Sequence, residues 1–343
     1  MDSKQVRIVM IGLGNVGRRV LAILRDKSPG YQARHHLSLL VVGVADHKGS
    51  ALDPSGLDPA AVIAAKMAKR SAGEMAGVGR PGMTGMELLN AVKGDVLIEA
   101  SPVNLKDGLP GLDHARTAVG AGMHLVLANK APLVLAYREL HELAKRSGAK
   151  IAFSATVGGG LPAVNIGQRD LCGSAILKLE GVLNLTSHFI LTRMASGRTY
   201  SEALRMAQQA GHAEADPTLD VDGWDAANKL VILANAVLNQ PTTLADLRVA
   251  GIRQVGVTTL KHAREKGNAI LPLALAERVG DRYLLSVEPT EVGGDHPLAR
   301  LDGEQMGIVY TTDTNGVITA IVDERDPMPT AAAVVRDVLN LYC

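Results

Sequence analysis

The chain has 343 residues, 47% hydrophobic and 21% charged, a core-forming composition that excludes wholesale disorder and collagen-like repeats and suits two domains of ~100–200 residues. Lys plus Arg number 36 and Asp plus Glu 35, with 3% aromatics, so neither charge nor stacking surface points to nucleic acid or an anionic membrane. Cys172 and Cys343 form no disulfide or metal pattern, the longest apolar runs reach about half of a ~20-residue membrane span, and the N-terminus lacks a signal-peptide layout; a soluble protein of a reducing cytoplasm is expected.

Residues 6–11 are a short Val/Ile-rich strand pattern. Gly12-Leu13-Gly14-Asn15-Val16-Gly17 follows, then a helical pattern through Val20, Leu21 and Leu24. Further apolar strands are predicted at 37–45, 95–100 and 124–128, ending at Asp46, Ser101-Pro102 and Asn129-Lys130. Helical stretches at 113–119 and 137–146 fall between strands. Alternating strands and helices, with strands apolar throughout, predict a parallel sheet covered on both faces. Residues 71–85 are the one candidate flexible loop. Beyond about residue 150 the pattern changes. Strands at 178–183, 271–276, 283–287, 307–312 and 317–322, with helices at 201–210 and 226–238, predict an α+β domain with a mostly antiparallel sheet. Asn315-Gly316 predicts a type I′ hairpin turn. A helix over 330–341 ends the chain.

The Gly12, Gly14, Gly17 spacing between a strand and a helix suits a dinucleotide. Gly12 permits the turn, Gly14 the approach of a pyrophosphate, and Gly17 close helix–strand packing, with the helix N-terminus facing the phosphates. Asp46 ends the second strand, where an acid binds an adenosine ribose; the alternative is a solvated turn residue. Neighbouring His47 and Lys48 would favour a 2′-phosphate, so NAD and NADP are not separated. Ligands of such sheets lie beyond the carboxyl ends of the strands, which points to Ser101, Pro102, Asn129 and Lys130. Lys130 there suits an anionic or carbonyl substrate; the alternative is a surface lysine.

Residues Glu214, Asp216, Asp220, Asp222 and Asp225 form an acidic segment before Lys229. A calcium loop is rejected, because aligning Gly223 with the loop glycine puts Thr218 first and Lys229 last, where an acidic ligand is required. Two readings remain. Asp222 caps a helix and Asp225 with Lys229 is an exposed i,i+4 pair. Or Asp225 and Lys229 face a cleft, the carboxylate holding the ammonium as a proton donor to a carbonyl oxygen. No His-Glu-x-x-His, Cys-x-x-Cys or Gly-x-Ser-x-Gly occurs, so zinc hydrolysis and an esterase elbow lack support.

Taken in order, these segments resemble homoserine dehydrogenase. The resemblance runs through the glycine loop, Glu99-Ala100-Ser101-Pro102-Val103-Asn104, Ala128-Asn129-Lys130, Ala155-Thr156-Val157-Gly158-Gly159-Gly160-Leu161-Pro162, Gly181-Val182-Leu183-Asn184-Leu185-Thr186, Ala213-Glu214-Ala215-Asp216-Pro217, Gly223-Trp224-Asp225-Ala226-Ala227-Asn228-Lys229-Leu230 and Pro329-Thr330-Ala331. It implies a Rossmann-type doubly wound nucleotide-binding domain, 1–152, completed by helix 328–343. It also implies a second α+β substrate and dimerisation domain, 153–327, and no room after the last helix for an appended regulatory domain. The implied reaction is reversible NAD(P)-dependent interconversion of L-homoserine and L-aspartate 4-semialdehyde in the aspartate pathway to threonine and methionine, by a cytoplasmic homodimer. Lys229 would exchange the proton, with Asp225 beside it; Lys130 would hold the substrate or its reacting oxygen. Glu214 would bind the amino group, and Asp220 and Thr186 would line the pocket. A monovalent cation, sodium or potassium, would rest on carbonyls of Val157, Gly159 and Leu161, because Ser154 stands where the family usually has a glutamate. Leu185 and His188 also depart from the usual Gly and Asn, and 324–327 from a Gly-Ala-Gly loop. The alternatives are a dehydrogenase of the same architecture for another small amino- or oxo-acid, and a catalytically silent nucleotide sensor.

Overall fold

The computed structural model describes residues 3–343. Its contacts divide the chain into two units, one comprising residues up to Gly160 together with Pro327–Cys343, the other Leu161–Asp326.

In the first unit, the apolar runs become β1 (Lys4–Ile11), β2 (Leu37–Asp46), β5 (Val96–Glu99), β6 (His124–Leu127) and β7 (Ile151–Ala152). Between them lie α1 (Asn15–His35), α2 (Pro59–Met67), α3 (Gly85–Ala91), α4 (Gly111–Gly120) and α5 (Ala131–Ser147), the last kinked at Ala136. The sheet also holds β3 (Gly49–Leu52) and β4 (Gly79–Pro81), in the order β4-β3-β2-β1-β5-β6-β7. β1, β2, β5, β6 and β7 pair in parallel. β3 and β4 are antiparallel, so the sheet is mixed where the sequence pattern predicts a parallel one. The reason is that the chain reverses directly after Asp46 instead of entering a crossover helix. Residues 71–85, expected as a flexible loop, carry β4 and a capping box in which Ser71 and Glu74 satisfy each other's backbone N–H groups.

The second unit contains α6 (Ala163–Asn165), β8 (Ile176–Val182), α7 (Leu185–Ala195), α8 (Tyr200–Gln209), α9 (Thr218–Val221), α10 (Trp224–Ala236), β9 (Leu247–Val249), α11 (Val257–Glu265), β10 (Ala269–Val279), β11 (Arg282–Val292), β12 (Gln305–Thr312) and β13 (Val317–Asp323). Its sheet order is β13-β12-β8-β10-β11-β9, antiparallel except between β9 and β11. The β12–β13 hairpin exists, but not through a two-residue type I′ turn. Thr312 closes a four-residue loop instead: its N–H donates to the Gly316 carbonyl at 2.9 Å and its hydroxyl accepts from Asn315 N at 2.9 Å. Of Asn315 and Gly316, only Gly316 takes a positive φ among the described residues, at 69°.

The chain returns to the first unit as α12 (Met328–Asn340). Its buried Ala331, Val334, Val335 and Val338 follow helical spacing and join Val20, Leu21 and Leu24 of α1 in one core. Fully burying one such valine or leucine side chain stabilises the unit by ~1.5–3 kcal/mol.

Candidate active site

Four neighbouring strands, β2, β1, β5 and β6, bring their carboxyl ends to one edge of the first sheet. Order reverses at β1, from which the chain goes first to β2 and then across to β5, making this edge the expected ligand crevice. Gly12 turns the chain there with φ 104°, and a Cβ on it would strike the Ala100 carbonyl oxygen at 2.2 Å. A Cβ on Gly17 would lie 2.1 Å from the Gly12 carbonyl oxygen, so this turn closes only with glycine at both positions. Gly14 is different. It caps α1 without a side chain, and a Cβ there would stand in open space, leaving room for a pyrophosphate against the N–H groups of Asn15 and Val16. The loop therefore fits a dinucleotide.

Ser101 and Asn129 meet on a carboxylate that sequence reasoning missed. Glu99 is fully buried and accepts from the Ser101 backbone N–H at 2.9 Å and from its hydroxyl. His114 Nδ1 lies 2.9 Å from its Oε2, and Asn129 Nδ2 donates at 3.5 Å to Oε1, the oxygen that Ser101 also reaches. Asn129 also accepts from Ala131 N at 3.0 Å, fixing the entry to α5. The signal was a lone acid closing an apolar strand. Pro102 is exposed, and Lys130 is half-buried at the start of α5.

Asp46 departs from its expected role. Its Oδ1 accepts from Lys48 N at 2.9 Å and Ser71 Oγ at 2.8 Å. Its Oδ2 accepts from Lys66 Nζ at 2.6 Å and Ala72 N at 2.9 Å. Two donors on each oxygen occupy the acceptor capacity of a carboxylate, so the ribose contact expected of Asp46 has no free acceptor. Burial pushes its pKa up, but the Lys66 ammonium and the other donors outweigh this and hold it at about 2. Asp46 instead braces 66–72 against β2, while the Lys48 side chain is exposed.

Within the second unit, Asn184, Asp220, Asp225 and Lys229 converge. Lys229 Nζ lies 2.8 Å from Asp225 Oδ2 and donates to the Leu183 carbonyl at 2.6 Å. Helical i,i+4 spacing on α10 brings the two side chains together. They are only 14% and 12% exposed, so the solvated surface pair is overturned. The capping alternative also falls: Gly223, at φ 86°, occupies the cap of α10, and Asp222 instead pairs with Arg253 Nε. Asn184, another residue the sequence reading passed over, donates to Asp220 Oδ1 at 2.7 Å and Asp225 Oδ2 at 2.8 Å. Burial and the Asp225 charge raise the Asp220 pKa, while Asn184, Lys229 and Thr186 act against the rise. Thr186 donates its hydroxyl to the His212 carbonyl. Glu214 is exposed.

Val157 and Leu161 are fully buried, and Gly159 takes φ 59°. Ser154 is committed to α12: its N–H and hydroxyl donate to Asp337 at 2.7 and 2.5 Å. Among the described residues no group of three His, Cys, Asp or Glu side chains is placed to hold a metal ion, and no helix is long and apolar enough to cross a membrane.

A glycine loop open to a pyrophosphate in one unit and a carboxylate-held lysine in the other define a nicotinamide-dinucleotide-dependent dehydrogenase. Residues 12–154 match the family model for the homoserine dehydrogenase NAD-binding domain, and residues 162–339 match that for homoserine dehydrogenase. A homoserine dehydrogenase of Methanocaldococcus jannaschii is 34% identical over 338 residues, covering 98% of each chain. An NAD(+)-dependent homoserine dehydrogenase of Pseudomonas canavaninivorans is 32% identical, covering 98% of this chain and 96% of its own. The structure of a hyperthermophilic archaeal homoserine dehydrogenase in complex with NADPH superposes with a TM-score of 0.85 at 26% identity, over 98% of this chain and 97% of that one. The chain belongs to the homoserine dehydrogenase family, oxidoreductases that act on a CH–OH group with NAD(P).

Proposed function

We propose that the chain interconverts L-homoserine and L-aspartate 4-semialdehyde with NADP(H) or NAD(H), and that Lys229 carries the proton. The supporting observation is the nearly buried ammonium held between Asp225 and the Leu183 carbonyl. When bound, the nicotinamide supplies or accepts the hydride. Lys229 spends two N–H bonds on its two partners, and its third serves the substrate oxygen. It stabilises the developing alkoxide and protonates it, and in the oxidative direction takes that proton back. Asp225 fixes the ammonium's position. A zwitterionic substrate also needs anchors of both signs: Glu214 takes the amino group, Asp220 and the Thr186 oxygen line the same pocket, and Lys130 holds the substrate or its reacting oxygen.

On the cofactor side, Gly12–Gly17 takes the pyrophosphate, and Ser101, Pro102 and Asn129 the nicotinamide end. With Asp46 neutralised by Lys66, the end of β2 raises no strong electrostatic bar to a 2′-phosphate, and both cofactors are accepted. For the cation, Ser154 is spent on Asp337, so the carbonyls of Val157, Gly159 and Leu161 bind sodium or potassium weakly at best. Titrating either salt at constant ionic strength should leave the rate nearly flat; saturable activation would overturn this. The working form is a cytoplasmic homodimer without nucleic acid or membrane. In its support, edge strand β13 exposes Val317 and Ile321 by 60% and 48%, a large apolar display for a free edge; light scattering at the mass of one chain would exclude the dimer.

The assay is NAD(P)H formation from L-homoserine by the purified chain, with other small hydroxy amino acids alongside. Turnover specific to L-homoserine is expected. Turnover with another of these substrates in its place would move the reading to a related dehydrogenase, and no turnover with any of them to a nucleotide sensor.

A further inference from the structure

Two acids seldom share a partly buried site unaided, because like charges at short range push one of them to take up a proton. Asp220 on α9 and Asp225 on α10 share the two N–H bonds of a single amide, that of Asn184. Asn184 is 4% exposed. Its orientation is fixed from the other side, since its Oδ1 accepts from Ser187 N at 2.8 Å and caps α7. The oxygen must face α7, so the amide nitrogen must face the acids. We infer that Asn184 is a positioning residue: by donating one hydrogen to each of Asp220 and Asp225, it keeps the two carboxylates side by side and keeps Asp225 available to aim Lys229. This rests on the proposed role of Lys229 and adds what holds that role in place.

The charged groups that act on Asp220 are Asp225 and Lys229 from α10, and its neutral side-chain partners are Asn184 and Thr186 at the start of α7. Removing the amide donors takes one favourable contact from each of the two anions. One proton is then taken up at higher pH, by the pair rather than by either acid alone. A protonated pair no longer holds the ammonium, so aldehyde reduction loses its acid side earlier.

The test uses Asn184→Ser, whose hydroxyl still caps α7 but presents no amide, and Asn184→Asp, which keeps the cap and adds a third anion. Aspartate carboxyl titration is followed by carbon-13 NMR in the full chain, with the pH profile of aldehyde reduction alongside. In Asn184→Ser the melting temperature should stay near the parent's. Its carboxyl titration and the acid limb of kcat/KM should move up together by about one pH unit, and kcat should fall by about tenfold or more. Asn184→Asp should move further in the same direction. A shifted titration in a chain that does not turn over L-aspartate 4-semialdehyde supports the bridge and counts against the substrate. Folded variants with the parent's titration and the parent's acid limb overturn the inference, leaving Asn184 a helix cap only.

Discussion

Asp46, in the first unit, meets a lysine, a hydroxyl and two backbone N–H groups. Asp220 and Asp225, in the second, share one amide and face one lysine. All three acids sit near a loop or helix end, where sequence alone makes them equal candidates for ligand binding. The direction of the pKa shift separates Asp46 from Asp220: donors hold the first down, while burial and a neighbouring acid push the second up. A carboxylate with four donors is fixed in one protonation state and one place, which suits a brace. A carboxylate whose pKa is pushed up by burial and a neighbouring acid, as that of Asp220 is, can exchange a proton, which suits chemistry.

Substitutions can sharpen this contrast, beginning with the largest expected effect. Asp225→Asn should lower kcat by about 10²-fold, the lower end for disturbing a positioned acid–base group, with little loss of stability. If it costs stability and leaves kcat intact, Asp225 is a brace like Asp46.

A second departure from the usual family residue sets a pH effect. His188 is 2% exposed, and burial lowers its pKa to about 4 against the opposing pull of the Gln305 carbonyl and Asp302. The native state thus favours neutral imidazole, while the unfolded chain protonates near pH ~6.5. Its contribution is present above that pH and is lost as pH falls toward 4, by ~3 kcal/mol in all. His188→Asn should flatten the stability profile in this window, as read by denaturant unfolding; an unchanged slope would mean that His188 is not buried neutral.

Asp46→Asn is the smaller effect. The native carboxylate has a pKa of about 2, below the ~3.9 of an unfolded aspartate. Its stabilisation is present above pH ~4 and is lost as pH falls toward 2, so at neutral pH the substitution should cost about 2 kcal/mol. NAD and NADP should weaken alike. Selective loss of NAD binding would return Asp46 to the ribose.

Glycine spacing, strand ends and the Asp-x-x-x-Lys interval were legible because each is a local pattern read at a fixed period. Antiparallel β3 and β4 were not, since four residues after Asp46 carry too little pattern to oppose the parallel reading. The commitment of Asp46 was also hidden, because Lys66, Ser71 and Ala72 lie twenty or more positions away. Glu99 and Asn184 escaped notice for a related reason. Each is a single polar residue at the end of an apolar run, and only packing shows that other site residues gather on it. The four-residue turn at 313–316 is closed by the Thr312 hydroxyl, which donates to the Gly316 carbonyl and accepts from Asn315 N, a side-chain role that the Asn-Gly pattern does not show.

The most direct measurement is turnover of a folded Lys229→Ala variant with L-homoserine, with cofactor affinity measured on the same sample. The expected result is a fall in kcat of ~10²–10⁴-fold with an unchanged dissociation constant for the dinucleotide, whose Gly12–Gly17 loop belongs to the other unit. Near-parent turnover in that variant would contradict the assignment of proton transfer to Lys229.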